Sequence, residues 1–228
     1  MKILGIIPAR SGSKGVPKKN SRMLGNMSLV ERTFKIAQES GVLDRIIVST
    51  DDFEVMATAQ KIGLEVPFVR PPHLCTDEAP MIEVVNHALA HLDSEGYSPQ
   101  AVMLLQPTSP LRTVNHLQLA TALLGNNDSV VSVVALPKTH CPHYVMKIED
   151  GYLTPFMESG EKITRRQDAP QAYVREGTVY LTRRSVLTEQ RSFYGKKCFA
   201  MEIPESESLS IDTPEDWKRA AQSLKVAA

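Results

Sequence analysis

The stretch KILGIIPARSGSKGVPKKN, residues 2–20, joins a short apolar run to a basic loop. Lys2–Pro8 is rich in isoleucine, which is typical of a strand that is buried on both faces of a sheet. The loop is rich in serine and glycine, and between Pro8 and Asn26 there are five basic residues and no acidic residue. Ligands of open α/β sheets bind at the carboxyl ends of the strands, so this stretch predicts an anion-binding loop at that edge.

Strand and helix patterns alternate over the first 136 residues. Further buried strands are predicted at Arg45–Thr50, Ala101–Leu105 and Ser129–Leu136. The apolar spacing between them predicts helices at Ser28–Ser40, Phe53–Ile62, Met81–Leu92 and Val114–Leu124. This alternation predicts an α/β fold, with a Rossmann-like, mostly parallel sheet and helices on both of its faces.

The pattern changes at about residue 137. Residues 137–171 contain short strand-like pieces, prolines and charged turns, which we interpret as a lobe inserted into one domain of residues 1–228. Strand-like spacing resumes at Val179–Thr182 and Cys198–Ile203. Thr213 and Pro214 predict the start of a last helix, because threonine caps helix N-termini and proline suits the first turn.

Composition excludes several classes of protein. The 228 residues include 26 basic and 26 acidic side chains, so a nucleic-acid partner bound through bulk positive charge is not expected. No apolar run approaches the roughly 18 residues of a membrane helix, and no membrane partner is expected. The three separated cysteines form no CxxC pair and indicate reduced thiols, which predicts a cytoplasmic location.

The basic loop has the residue types that a polyphosphate requires. Arg10 can bind phosphate oxygens through two N–H groups, and Lys14 and Lys19 supply point charges. Ser11 and Gly12 allow the backbone N–H groups to approach an anion closely. The loop matches neither GxxxxGK[ST] nor GxGxxG, so composition alone favours a phosphate-binding loop and an ordinary solvated loop about equally.

Several other polar residues have ordinary structural interpretations. Asp51 and Asp52 follow a predicted strand, and they are either a second metal site or the N-cap of the next helix. His87 and His91 lie four residues apart on one helix without the glutamate of an HExxH motif, which favours surface histidines over metal ligands. Cys75 has no implied base nearby, which favours a structural cysteine over a nucleophile.

Six segments together resemble one enzyme family. They are IPARSGSKGVPKKN (7–20), DRIIVSTDD (44–52), VPFVRPPHL (66–74), LLQPTSPLR (104–112), RRQDAPQAY (165–173) and SIDTPED (210–216). In this order they resemble the acylneuraminate cytidylyltransferases, also called CMP-sialic acid synthetases, and more distantly the CMP-Kdo synthetases. The segments span nearly the whole chain, and the first and fourth are the most specific.

The resemblance implies an activity, a fold type and partners. The activity is transfer of CMP from CTP to the anomeric hydroxyl of an acidic 2-keto sugar, with Mg²⁺ or Mn²⁺ as cofactor and release of pyrophosphate. The implied fold is of the nucleotide-diphospho-sugar transferase type, and the implied assembly is a homodimer formed through the inserted lobe. Two alternatives stay open: a CMP-Kdo-type synthetase, although LQPTSPLR replaces that family's D-E-P run, and a nucleotide-binding relative that has lost the reaction.

The resemblance also assigns roles to residues. The implied nucleotide-binding residues are Ala9, Arg10, Ser11, Gly12, Lys14, Lys19, Asn20 and Arg70. The implied sugar-binding residues are Gln106, Arg166, Gln167 and Glu176. The implied catalytic residues are Arg10, Lys14, Lys19 and Asp212, the last of which would also hold the metal. One aspartate is chemically sufficient, because Mg²⁺ keeps several waters and needs only one or two carboxylates beside the phosphates.

Four positions depart from the family pattern. Ser210 stands where the family usually has the first of two late aspartates, and Glu176 replaces the asparagine of N-G-A-I-Y. Pro80 stands where a serine often follows D-x-A, and Tyr144 replaces the lysine of H-P-x-K. The segments assigned to the nucleotide are intact, whereas those assigned to the sugar are altered. The acceptor is therefore left open between N-acetylneuraminate, a related nonulosonate and an amino-Kdo.

Overall fold

The computed structural model describes residues 1–157 and 165–226 of the chain. The strands of this part are β1 (Ile3–Pro8), β2 (Met23–Leu24), β3 (Met27–Ser28), β4 (Arg45–Ser49), β5 (Ala101–Leu104), β6 (Ser129–Ala135), β7 (Met146–Glu149), β8 (Tyr152–Pro155), β9 (Tyr173–Arg183) and β10 (Cys198–Glu202). The helices are α1 (Leu29–Ser40), α2 (Phe53–Ile62), α3 (Met81–Ser94), α4 (Val114–Leu124), α5 (Arg184–Glu189) and α6 (Pro214–Leu224). The predicted strands and helices before residue 137 are confirmed, with differences of one or two residues at their ends.

The central sheet has the strand order β10-β6-β9-β5-β1-β4. Strand β1 pairs in parallel with β4 and β5, and β10 pairs in parallel with β6. Strand β9 runs antiparallel to both of its neighbours, β5 and β6. The prediction of a mostly parallel sheet is therefore confirmed, although β9 begins at Tyr173, earlier than the predicted Val179.

Strand β1 separates two apolar layers. Its residues Ile3 and Ile7 pack in a cluster with α1, α2 and α4, whereas Leu4 and Ile6 pack in a second cluster with α3 and α5. Alternate side chains of a strand point to opposite faces of the sheet, so helices cover both faces. The predicted α/β architecture is confirmed.

A third apolar cluster connects the basic loop to the last helix. Its buried members come from the loop, from β2, from α1 and from the α6 region: Val16, Leu24, Leu29, Leu209, Ile211, Trp217, Ala220 and Ala221. Thr213 caps α6 as predicted, since its hydroxyl accepts a hydrogen bond from the backbone N–H of Asp216 at 3.2 Å. The start of α6 is thereby held directly beside the basic loop.

The predicted lobe, residues 137–171, contains a small antiparallel hairpin of β7 and β8. Residues 158–164 of this lobe lie outside the described residues. The hairpin leaves large apolar side chains in solvent, and Ile148 and Tyr152 are 74% and 76% exposed. A role of this lobe in dimerisation stays a prediction.

Residues 1–157 and 165–226 contain six α-helices. None of these helices combines the length and the apolar character that crossing a bilayer requires. The longest segment of regular helix, α3, has 14 residues and carries charged side chains along its length.

Candidate active site

The carboxyl ends of the parallel strands meet at one edge of the sheet, and the predicted site residues follow them. The basic loop follows β1, and Gln106 follows β5. Arg70 and Asp212 lie in connections that return to the same edge. The backbone N–H of Arg70 donates there to the carbonyl oxygen of Thr50, directly after β4. Together these site residues line a cavity of about 310 Å³.

Seven of the predicted site residues line this cavity: Arg10, Lys14, Lys19, Asn20, Arg70, Gln106 and Asp212. Its remaining walls include the loop residues Ser13 and Gly15, Met81 at the start of α3, and Thr108. Cations from one segment and a carboxylate from another, about 190 residues later in the chain, therefore face the same space. Such a surface suits a polyphosphate better than it suits an uncharged ligand.

The basic loop is packed against the segment that carries Asp212. A Cβ added to Gly15 would lie 1.9 Å from the carbonyl oxygen of Asp212, so only glycine allows this approach of the two backbones. Lys19 donates a hydrogen bond from Nζ to the carbonyl oxygen of Ile211 at 2.6 Å and lies 3.2 Å from Oδ1 of Asp212. Ser210 donates from Oγ to Oδ2 of the same carboxylate at 3.0 Å. These contacts fix Asp212 opposite the loop.

Arg10 and Lys14 form ion pairs with one carboxylate, Asp77. The hydrogen bond from Lys14 and the charge of Arg10 hold the pKa of Asp77 below its ordinary value, although burial acts in the opposite direction. Sequence reasoning assigns Asp77 no role. Because both loop cations pair with Asp77, both side chains already point toward an anionic group.

The inner wall of the cavity is formed by Arg70, which is only 2% exposed. Its Nε donates to Oγ of Ser49 at 3.0 Å, and its guanidinium also donates to the carbonyl oxygen of Ser49. Burial lowers the pKa of Arg70. Asn20 is buried as well, and its Nδ2 donates to the carbonyl oxygen of Arg10 at 3.1 Å, which holds the loop backbone in shape.

Asp51 and Asp52 have different structural roles. Asp52 caps α2, since its Oδ1 accepts from the backbone N–H of Glu54 at 2.9 Å, in agreement with the N-cap alternative. Asp51 accepts from the backbone N–H of Ser11 at 2.8 Å and from its Oγ at 2.5 Å. Burial alone would raise the pKa of Asp51, but the hydrogen bonds from Ser11 outweigh burial and hold that pKa below its ordinary value.

The predicted sugar-binding residues are only partly brought together. Gln106 lines the cavity, and a Cβ added to Gly177 would lie 2.6 Å from its Oε1. Glu176 lies beside this contact but does not line the cavity, and its carboxylate accepts from the N–H and Oγ1 of Thr178 at 2.9 and 2.8 Å. Gln167 is exposed in a 3-10 turn, where its carbonyl oxygen accepts from Lys138, away from the cavity lining.

Arg166 lies in the same short turn as Gln167, Arg166–Asp168. The side chain of Arg166 lies outside the described part of the structure. The predicted approach of Arg166 and Gln167 to a sugar carboxylate therefore stays a prediction.

The carboxylate of Asp212 fits a magnesium or manganese ion as a single protein ligand. Its side chain is 70% exposed and faces the cavity that the loop cations line. Among residues 1–157 and 165–226, no group of three or more His, Cys, Asp and Glu side chains is placed to hold a metal. One exposed carboxylate beside a polyphosphate site matches the way Mg²⁺ is bound together with substrate phosphates.

A cationic loop follows the first strand of the α/β sheet and faces a carboxylate at the start of the last helix. This arrangement is typical of transferases that bind nucleotides. A family model described as cytidylyltransferase matches residues 4–225. The chain therefore belongs to the cytidylyltransferase family, and the resemblance derived from its six segments is confirmed.

Two relatives illustrate the similarity in sequence. A CMP-N,N'-diacetyllegionaminic acid synthase from Legionella pneumophila is 31% identical over 221 residues, which cover 95% of this chain and 94% of that protein. An N-acylneuraminate cytidylyltransferase from Escherichia coli is 30% identical over 220 residues, which cover 96% of this chain and 51% of that protein. The chain thus spans about half the length of the second relative.

The solved structure of a CMP:2-keto-3-deoxy-manno-octonic acid synthetase complexed with CTP is similar in fold. It superposes with a TM-score of 0.74 and 16% identity, and the match covers 99% of both chains. At this identity the likeness shows the fold alone. It confirms the predicted nucleotide-diphospho-sugar transferase type of sheet.

Proposed function

We propose that this protein transfers CMP from CTP to the anomeric hydroxyl of an acidic 2-keto sugar of the nonulosonate class. The observation that carries the proposal is the cavity in which Arg10, Lys14 and Lys19 face Asp212, within a member of the cytidylyltransferase family. The names of the two relatives, a legionaminic acid synthase and an acylneuraminate cytidylyltransferase, support the class of acceptor. The reaction is placed in the cytoplasm, where CTP is available.

The basic loop binds the triphosphate of CTP in this proposal. Arg10 and Lys14 exchange Asp77 for phosphate oxygens, since both side chains already point at an anion. Gly12 has a left-handed backbone, with φ of 69°, which turns the loop and lets the N–H groups of this segment approach the phosphates. The buried Arg70 forms the inner wall against which the nucleoside lies.

The chemistry is a displacement at the α-phosphorus. The anomeric oxygen of the sugar forms a bond to that phosphorus, and the bond from the α-phosphorus to the oxygen that bridges to the β-phosphate breaks. Pyrophosphate leaves with that electron pair, and the sugar hydroxyl gives up its proton to water. Arg10 and Lys19 stabilise the charge that grows on the α-phosphate and on the leaving pyrophosphate. Asp212 would hold Mg²⁺ or Mn²⁺, which supplies further charge neutralisation when bound.

The sugar side of the site is formed by Gln106, with Glu176 beside it, and by groups from the inserted lobe. Among the predicted sugar residues whose side chains the structure describes, Gln106 reaches the cavity of a single chain. Arg166 and Gln167 lie on the lobe, so a second copy of the chain that brings them to this cavity would complete the pocket. The exposed apolar residues Ile148 and Tyr152 support a homodimer formed through this lobe.

Pyrophosphate release tests the function directly. Wild-type protein is incubated with Mg²⁺, one of the four ribonucleoside triphosphates, and N-acetylneuraminate, a legionaminate, a pseudaminate or Kdo. We expect release with CTP and a nonulosonate only. A highest rate with Kdo would support the CMP-Kdo alternative, and CTP binding without release for any sugar would support the non-catalytic alternative.

The homodimer is tested separately by sedimentation at micromolar protein concentration. We expect a species of twice the chain mass of 25.3 kDa, and we expect Ile148→Asp to shift it toward the monomer. Lys147→Asp, a change at the neighbouring exposed residue of β7 that removes no apolar surface, serves as the control. A wild-type monomer would contradict both the dimer and the completion of the pocket by a second copy.

A further inference from the structure

Strand β9 is irregular where it passes the candidate site. The register pairs Val131 with Tyr180 and Val133 with Arg175, so residues 176–179 stand opposite the single residue Ser132. The hydroxyl of Ser132 accepts from the N–H of Val179 at 2.8 Å and lies 3.1 Å from its carbonyl oxygen. Bulges of this kind bend a strand and re-aim its side chains, often beside active sites. Here the bulge carries Glu176 and Gly177 toward Gln106.

Arg112 holds the other side of this bulge. Its side chain is buried, and its Nε donates to the carbonyl oxygen of Thr178 at 2.6 Å. Its Nη2 donates to the carbonyl oxygens of Gln106 at 2.7 Å and Gly177 at 3.1 Å. One rigid, planar group therefore joins the loop that follows β5 to the bulge in β9.

The two joined segments fit closely at Gly177. A Cβ at Gly177 would lie 2.6 Å from Oε1 of Gln106 and 2.7 Å from Oγ of Ser109. Burial lowers the pKa of Arg112 to about 10, so the guanidinium remains charged and donating at neutral pH. A lysine at this position could not reach three carbonyl oxygens in these fixed directions.

We infer that Arg112 is a positioning residue for the acceptor sugar, because it sets the spacing between Gln106 and the bulge of residues 176–179. The inference rests on the proposed function, in which Gln106 and Glu176 face the sugar. Arg112 lines no part of the cavity and acts through the two segments that it joins. The loop cations Arg10 and Lys14 lie on another segment, and the Asp212 segment meets the loop after β5 where the N–H of Ile211 donates to the carbonyl oxygen of Thr108 at 2.9 Å. Arg112 contacts neither the cations nor Asp212, so it governs sugar binding more strongly than CTP binding.

Arg112→Lys tests this assignment, with Arg183→Lys as the matched control. Arg183 also donates to backbone carbonyl oxygens, Asn127 at 2.8 Å and Gly125, but it lies at the far end of β9. We expect Arg112→Lys to raise KM for the sugar by about tenfold or more while KM for CTP stays within about twofold. Arg183→Lys is expected to leave both constants within about twofold of the wild type.

Equal increases in both KM values, or an unchanged KM for the sugar, would overturn the assignment. If Arg112→Lys does not fold, Gly177→Ala takes its place, because the added methyl group displaces Gln106 from the other side. Gly177→Ala is expected to give the same sugar-selective increase, and an unchanged KM would again contradict the assignment.

A crystal structure separates this inference from the proposed function. If the wild type turns over no sugar of the panel, the proposed function fails, and the positions of Gln106 and Gly177 are compared between crystals of Arg112→Lys and Arg183→Lys. The inference expects these two segments to move apart by about 1 Å or more in Arg112→Lys alone, a distance that matters for catalytic geometry. No such movement would overturn it.

Discussion

Gly15→Ala asks whether the basic loop must lie against the Asp212 segment for the reaction to proceed. Gly15 is not among the residues with positive φ, so alanine is compatible with its backbone conformation. The added methyl group would lie 1.9 Å from the carbonyl oxygen of Asp212, whereas real Cβ contacts essentially never fall below 3.0 Å. The loop and the Asp212 segment must therefore separate by about 1 Å or more.

The expected loss follows from this separation. Lys19 reaches both Ile211 and Asp212 across the same gap, so a shift of the loop moves a cation and the carboxylate of Asp212 apart. A misplacement of about 1 Å in catalytic groups lowers the rate by roughly a hundredfold. We therefore expect kcat of Gly15→Ala to fall by about that factor, because the charge on the leaving pyrophosphate is less well stabilised.

The assay is pyrophosphate release with CTP, Mg²⁺ and the fastest sugar of the panel, together with the melting temperature of each variant. Gly41→Ala is the control, since Gly41 ends α1 in a left-handed conformation with open space around it. Its substitution costs about 1 kcal/mol or more of folding stability but leaves the site unchanged. A Gly15→Ala enzyme with kcat within about threefold of wild type would refute the reasoning.

Three further outcomes are expected. Asp212→Asn lowers turnover by about a thousandfold with little change in melting temperature, because an exposed carboxylate is lost where charge neutralisation is needed; near-normal turnover would remove the metal assignment. Asp77→Asn tightens CTP binding in calorimetry by less than about fivefold, since exposed ion pairs are weak; weaker binding would contradict competition between Asp77 and the phosphates. Ser11→Ala lowers the melting temperature at pH values above 3.8, the ordinary pKa of Asp51, because the hydrogen bond from Ser11 stabilises only the ionised carboxylate. The difference from the wild type shrinks as the pH falls below 3.8, and a difference that grows in acid would contradict this reasoning.

The parts of the fold that could be predicted are those whose signal is local. Buried isoleucine runs, glycine after a helix, and threonine followed by proline each act within a few residues, so β1, α1 and the start of α6 were predictable. The basic loop belongs to the same group, because its small residues and its cations are contiguous.

Strand β9 shows where local patterns are insufficient. Its residues Tyr173–Gly177 are exposed or partly exposed and lie partly in a bulge, so they lack the alternation of a half-buried strand. The direction of a strand within a sheet is set by its connections and its neighbours, which the apolar spacing does not encode. The antiparallel placement of β9 between β5 and β6 therefore required the structure.

The candidate site divides in the same way. Lys14 and Lys19 are predictable from one loop, but the partner that orients Lys14 is Asp77, which lies in a separate connection. Arg112 ends a proline-rich motif that reads as a turn, and only the structure shows its guanidinium buried among carbonyl oxygens. Long-range partners of charged side chains depend on how segments pack, and sequence spacing carries little information about that.

The ion pairs at the loop bear on how CTP is bound. Asp77 directs Arg10 and Lys14 toward the same side of the cavity. Displacing an exposed carboxylate costs little, and in the proposed function the triphosphate replaces it with charge-assisted hydrogen bonds. In the proposed function, Asp77 therefore directs the two loop cations toward the space that the triphosphate occupies while competing only weakly with the phosphates.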